Sequence, residues 1–127
     1  QVAQQVARSE KDALIAELGA AGVRHDPKGI VTIFRDADGR IVWLERGNSR
    51  AGLQHVLSHA ADFASKGVTE ERIPSLLQRA IQDGRIIGYQ GDGEGRPIYA
   101  VAFQGHELKV GITVSDNGFI VGANPVS

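Results

Sequence analysis

The sequence predicts an α+β fold, and three observations lead there. Apolar residues recur at helical spacing in three separate stretches. Strand-like alternation fills the last third of the chain. Turn signals at Asp36-Ala37-Asp38-Gly39 and Asp116-Asn117-Gly118 join neighbouring strand candidates into antiparallel pairs. The resulting order is helix, hairpin, two helices, then an antiparallel meander of about four strands, with the helices packed on one sheet face. At 127 residues the chain is long enough for one real core and too short for two.

The elements follow in order. Val2, Val6, Leu14, Ile15 and Leu18 lie on one face of a helix from Gln1 to about Gly22, with Gly22 as its left-handed stop. Ser9 before Glu10 and Asp12 has the pattern of a second helix start inside it. The β-branched and aromatic runs 30–35 and 41–45 form a hairpin. Ser49 is the expected N-cap of a helix reaching Lys66, with Gly67 as its stop, and Leu53, Val56, Leu57, Ala60 and Phe63 form its apolar stripe. A short helix from about Pro74 to Asp83 turns Leu76, Leu77, Ala80 and Ile81 inward and ends at Gly84. Strands are expected at 85–90, 97–103, 107–115 and 119–123, with an acidic glycine-rich turn at 91–95.

Composition narrows the function classes. There is no cysteine, so neither a disulfide nor a thiolate metal site is available, and the fold rests on packing. The apolar runs are too short and interrupted to span a membrane. The balance of 14 basic and 15 acidic residues, net −1, counts against a general nucleic-acid binder but leaves room for a local basic cleft. The chain starts with Gln and has no signal-peptide pattern, as expected of an excised piece of a longer polypeptide.

Two features carry chemistry. His55 and His59 are spaced i, i+4, which on a continuous helix places them on one face. Side-by-side imidazoles suit proton transfer, metal binding or a hydrogen-bonded structural role. A metal site needs further ligands, and Val56 stands where a zinc-protease motif carries Glu. The second feature is the strand in which Leu108, Val110, Ile112 and Val114 alternate with Lys109, Gly111, Thr113 and Ser115. One face is core; the other is either a solvated surface or the floor of a phosphate-binding cleft, with a cation and two hydroxyls. Trp43 is expected in the core, and His25 and His106 in solvated loops.

Four segments together, Glu45-Arg46-Gly47-Asn48, Ala51-Gly52-Leu53-Gln54-His55, Asp62-Phe63-Ala64-Ser65-Lys66-Gly67 and Asn117-Gly118-Phe119-Ile120-Val121-Gly122-Ala123-Asn124-Pro125, resemble the C-terminal toxin domains of contact-dependent growth-inhibition proteins. These domains fall in the barnase/EndoU/colicin/RelE-like group of ribonucleases. The resemblance spans about 30–127, which would be the nuclease core behind an N-terminal helical segment 1–29. It implies a helical part packed on a twisted antiparallel sheet, and a ribonuclease that cleaves tRNA with neither metal nor other cofactor. The domain would be displayed on or secreted from one bacterium as part of a larger protein and act in the cytoplasm of another. Its implied partners are a cognate immunity protein, the RNA and a helper protein in the target cell. Under that resemblance His55 and His59 transfer protons, and Lys109 with Arg46 or Lys66 stabilises phosphate charge. Thr113 and Ser115 position the phosphate, and Asn117 joins Arg46 and Lys66 as a substrate-binding candidate. A non-enzymatic interaction module of a secreted or prophage protein is the alternative.

Overall fold

The computed structural model describes residues 2–91 and 95–127, with side chains in the first helix described from Glu10 onward. The middle of the acidic turn and the apolar positions Val2 and Val6 lie outside the described side chains. Helix α1 (Val2–Ala20) is followed by strands β1 (Ile30–Arg35) and β2 (Ile41–Glu45), and then by a helical segment at 53–65 made of α2 (Leu53–Val56), a 3-10 turn and α3 (Ala60–Ser65). Helix α4 (Ile73–Asp83) leads into β3 (Arg85–Tyr89), β4 (Pro97–Phe103), β5 (His106–Val114) and β6 (Ile120–Val126). The α+β class and the element order match the sequence expectation. The strands form two antiparallel sheets, β1-β2 and β3-β4-β5-β6. A parallel bridge from Trp43 to Phe119 joins them, together with the Trp43 N–H donated to the Gly118 carbonyl at 3.0 Å.

Both faces of the β1-β2 hairpin are covered, which is why its strands read as continuous apolar runs. Ile33 and Trp43 pair across it and pack with Ile30 beneath Leu18 of α1. Phe34, Val42 and Leu44 face the other way, into the main core. Trp43 is 1 % exposed and donates its indole N–H to Glu45 Oε2 at 2.8 Å, so it is a core residue with a satisfied polar atom. Helix α1 runs through Ser9 without a break.

Helix α4 buries Ile73, Leu76, Leu77, Ala80 and Ile81. That i, i+3, i+4, i+7, i+8 stripe is what an amphipathic helix needs to sit on a sheet. Val101, Phe103, Val110, Ile112 and Ala123 supply the sheet side of the same core. The opposite face of β5 and β6 carries Gly111 opposite Asn124 and Thr113 opposite Gly122.

The expected helix from Ser49 to Lys66 is corrected by the structure. It begins at Leu53, with Gly52 before it and no cap from Ser49. The Asn48 side chain accepts the backbone N–H groups of Arg50 (2.8 Å) and Ala51 (3.3 Å), folding 48–51 into a turn instead of a helix start. Gly47 and Gly52 have φ of 63° and 89°, and a Cβ on either would run into a backbone carbonyl, Ala51 for the first and Glu45 for the second. The helical segment is also broken. Leu53–Val56 and Ala60–Ser65 are α-helical, while Leu57–His59 form a tighter 3-10 turn. Ser58 Oγ donates to the His55 carbonyl at 2.6 Å at that junction, a local competitor for the helical pattern.

Candidate active site

Helix 53–56 packs on β6, and the Gly52 N–H donates to the Val121 carbonyl at 2.9 Å. This sets His55 over the polar face of the sheet. Its Nδ1 bonds the Ser49 carbonyl at 2.9 Å; because a carbonyl can only accept, Nδ1 carries the hydrogen and Nε2 is the free acceptor of the neutral ring. The 48–51 turn that displaced the helix start is therefore what presents the orienting carbonyl.

Opposite His55 lies Arg96, which the sequence expectations did not include. It precedes β4, where the Gln90 N–H donates to its carbonyl at 2.9 Å and closes the β3-β4 hairpin. The side chain lies flat on the sheet. Nε donates to Thr113 Oγ1 at 2.9 Å and Nη1 to Asn124 Oδ1 at 3.0 Å. Among the described residues no carboxylate pairs with it. Burial lowers its pKa from the ordinary arginine value, which lies so far above neutrality that the group remains a cation.

Two glycines make room for this arrangement. A Cβ on Gly122 would stand 2.9 Å from His55 Cδ2, 3.2 Å from His55 Nε2 and 3.0 Å from Arg96 Nη2. The acceptor nitrogen of the imidazole and the uncommitted end of the guanidinium therefore converge over one residue. A Cβ on Gly111 would meet Gln90 Oε1 at 3.0 Å and Arg96 Cδ at 3.2 Å. Both glycines are buried although they lie on the outer sheet face, because these side chains cover them.

An open groove of about 770 Å³ runs along this face, lined by His59, Gln90, Arg96, Thr113 and Asn124. His59 sits in the 3-10 turn with its Nδ1 3.4 Å from Asp62 Oδ2. The structure thus brings together His55, His59 and Thr113 from the sequence-derived candidates, and adds Arg96, Asn124 and Gln90. It separates the others. Lys109 is on the same sheet face as Thr113 but four residues away, about 13 Å along a strand. Lys109 and Lys66 line a different cavity, with Phe63 and Leu76. Ser115 lies past the end of β5, where its hydroxyl bonds the Asn117 side chain and accepts the Phe119 N–H. Asn117 is committed to the same turn. Arg46 reaches the Lys28 carbonyl at 3.4 Å, far from the groove in its partners.

Two strand-interior glycines on one face, Gly111 of β5 opposite Asn124 and Gly122 of β6 opposite Thr113, were the available signal for Arg96, since such glycines mark close approach of another group. Among the described residues no group of three or more His, Cys, Asp or Glu stands together as a metal-ligand set would. No protein-family model matches the chain, and a comparison with curated proteins gave no match.

Proposed function

We propose that the chain is an antibacterial toxin domain acting as a metal-independent ribonuclease on tRNA, restrained in the producing cell by a cognate immunity protein. The observation that carries the reading is the convergence of His55 Nε2 and Arg96 Nη2 over Gly122, with the Thr113 hydroxyl beside them. A proton acceptor next to a cation and a hydroxyl is the equipment phosphodiester transfer to an internal hydroxyl requires.

His55 Nε2 takes the proton of a ribose 2′-hydroxyl as that oxygen bonds to the adjacent phosphorus. The bond from phosphorus to the 5′-oxygen breaks, and His59, loosely oriented by Asp62, returns a proton to the leaving oxygen. The products are a 2′,3′-cyclic phosphate and a free 5′-hydroxyl. Arg96 spends Nε and Nη1 on Thr113 and Asn124 and keeps Nη2 for the non-bridging oxygens. Thr113 accepts from Arg96 at its oxygen, so its own hydrogen is available to the same phosphate. Delivery from a larger surface protein and a target-cell helper belong to the same proposal. Among the described residues no helix is long and apolar enough to cross a membrane.

A second reading has its own observation. Strand β3 is a sheet edge with Ile86, Ile87 and Tyr89 exposed by 48 %, 46 % and 51 %, the pattern of a surface that pairs with another protein. Induced expression in bacteria separates the two. The ribonuclease arrests growth and leaves a discrete RNA cut, and His55→Ala removes both while the protein stays folded. An interaction module gives wild-type cells that grow normally with intact RNA.

A further inference from the structure

The candidate site reaches Thr113 on β5, and the sheet face it occupies continues beyond that residue. Val114 and Ile120 pack in the main core, so their neighbours Ser115 and Phe119 point to the opposite face, the one that carries Thr113. The Ser115 N–H donates to the Phe119 carbonyl at 2.8 Å, which keeps the two strands paired to this point. Ser115 stands two residues, about 7 Å, beyond Thr113. It lines an open cavity of about 700 Å³ between the turn 115–119 and the loop that follows α1. That is room for a nucleoside.

The cavity has an aromatic surface and a set of fixed polar groups. Phe119 meets Trp43 edge to face, with ring centroids 5.9 Å apart. Trp43 is buried, so Phe119 is the ring that an entering molecule lies against. Glu45 Oε2 accepts the Trp43 indole N–H at 2.8 Å and the Asp26 backbone N–H at 3.1 Å, which leaves Oε1 as an acceptor. His25 Nδ1 bonds the Val23 carbonyl at 2.8 Å, so Nε2 is the acceptor of the neutral ring. Asn117 Oδ1 is taken by the Ser115 hydroxyl and the Phe119 N–H, and its amide Nδ2 remains as a donor. The charges around these groups are three carboxylates, Asp26, Glu45 and Asp116, against the guanidinium of Arg24. Such a balance disfavours a phosphate and suits an uncharged ring with N–H groups on its edge.

We propose that this cavity is the base subsite of the ribonuclease and holds the nucleobase next to the scissile phosphate. The proposal rests on the ribonuclease reading, which puts that phosphate at Thr113 and Arg96. The base stacks on Phe119, while its pairing edge donates to Glu45 or His25 and accepts from Asn117. Every base offers an N–H and an acceptor on that edge, so the subsite fixes a position and not a sequence. Phosphate and base are thereby sorted along one sheet face, the Arg96 cation serving the first and the ring with its acceptors the second.

The test uses short RNA oligonucleotides in which the nucleotide on one or the other side of the cut is replaced by an abasic ribose. In wild type the abasic change on one side lowers kcat/KM by about tenfold or more, the loss expected of one base stacked on an aromatic ring. Phe119→Leu and Asn117→Asp lower kcat/KM by a similar factor on the complete RNA and match wild type on that abasic RNA. Asn117→Asp keeps the oxygen that Ser115 and Phe119 bond, so it decides alone if Phe119→Leu does not fold. An abasic change without effect on either side, or variants that slow both RNAs equally, overturns the subsite and leaves the ribonuclease reading standing. If wild type cleaves nothing, the ribonuclease reading fails, and amide NMR with adenosine and with inorganic phosphate decides the cavity separately. Shifts at 24–26 and 115–119 with adenosine and not with phosphate support a base site. No shifts with adenosine, or the same shifts with phosphate, overturn it.

Discussion

Arg96 is the residue on which the site's electrostatics turn. Its charge is half-buried and uncompensated among the described carboxylates, Nε and Nη1 are taken by Thr113 and Asn124, and Nη2 is left over Gly122. A lysine at this position keeps the charge but cannot hold Thr113 and Asn124 while pointing at a phosphate. Arg96→Lys should therefore lower kcat/KM for RNA by about 10² or more, the cost typical of losing an aligned donor to transition-state charge. Activity within twofold of wild type would reduce Arg96 to a general positive charge. Tyr99 makes a different prediction. Because burial raises its pKa, the folded state holds its phenolic proton more tightly than the unfolded chain does. Its contribution is fully present below the ordinary tyrosine pKa near 10 and is lost as pH rises above it. Denaturant titrations at pH 9 and 10.5 should show wild type losing more stability over that interval than Tyr99→Phe, and equal losses would contradict the buried placement.

Among the elements, β5 and β6 with the short helix 53–56 determine the geometry of the site. Thr113 pairs with Gly122 and Gly111 with Asn124, so each polar residue stands beside a bare stretch of backbone on the facing strand. Gly122→Ala tests this at the element scale. Its backbone is not in the left-handed region, so alanine is compatible with the strand, and stability should change by less than about 1 kcal/mol. The new methyl would occupy the space held by His55 and Arg96, and displacement of such groups should lower kcat/KM by about 10². Unchanged cleavage would separate the His55–Arg96 pair from the chemistry.

The same elements show what local sequence conveys. The α4 stripe and the β5 alternation were legible, because each is a periodicity that burial imposes directly on residue choice. The start of the 53–65 segment was not. Ser49 satisfies the composition rule for a cap, but Asn48 takes the nearby N–H groups first and two positive-φ glycines close the turn behind it. His55, His59 and Thr113 were legible as chemistry-bearing residues in suggestive patterns. Arg96 was hidden, since one arginine after an acidic turn looks like surface charge and its anchors lie 17 and 28 residues away. Lys109 illustrates the converse: alternation placed it on the correct face, but a face is longer than a site.

For the molecule as a whole, the net charge of −1 is compatible with the proposed catalysis if the cationic character is concentrated locally, as at Arg96. The sheet's inner face is spent on the core shared with α4, and its outer face is open along the groove lined by His59, Arg96, Thr113 and Asn124. The hairpin β1-β2 is clamped between α1 and that core. Core and site are thus products of one packing arrangement. The central claim is that His55 and Arg96 perform metal-free phosphodiester cleavage, and end-mapping of total tRNA after incubation with the purified protein in EDTA tests it most directly. The account predicts a discrete cut with a 2′,3′-cyclic phosphate on one side and a 5′-hydroxyl on the other, reduced by about 10² or more in His55→Ala. Intact tRNA, or cleavage that His55→Ala leaves at full rate, would contradict it.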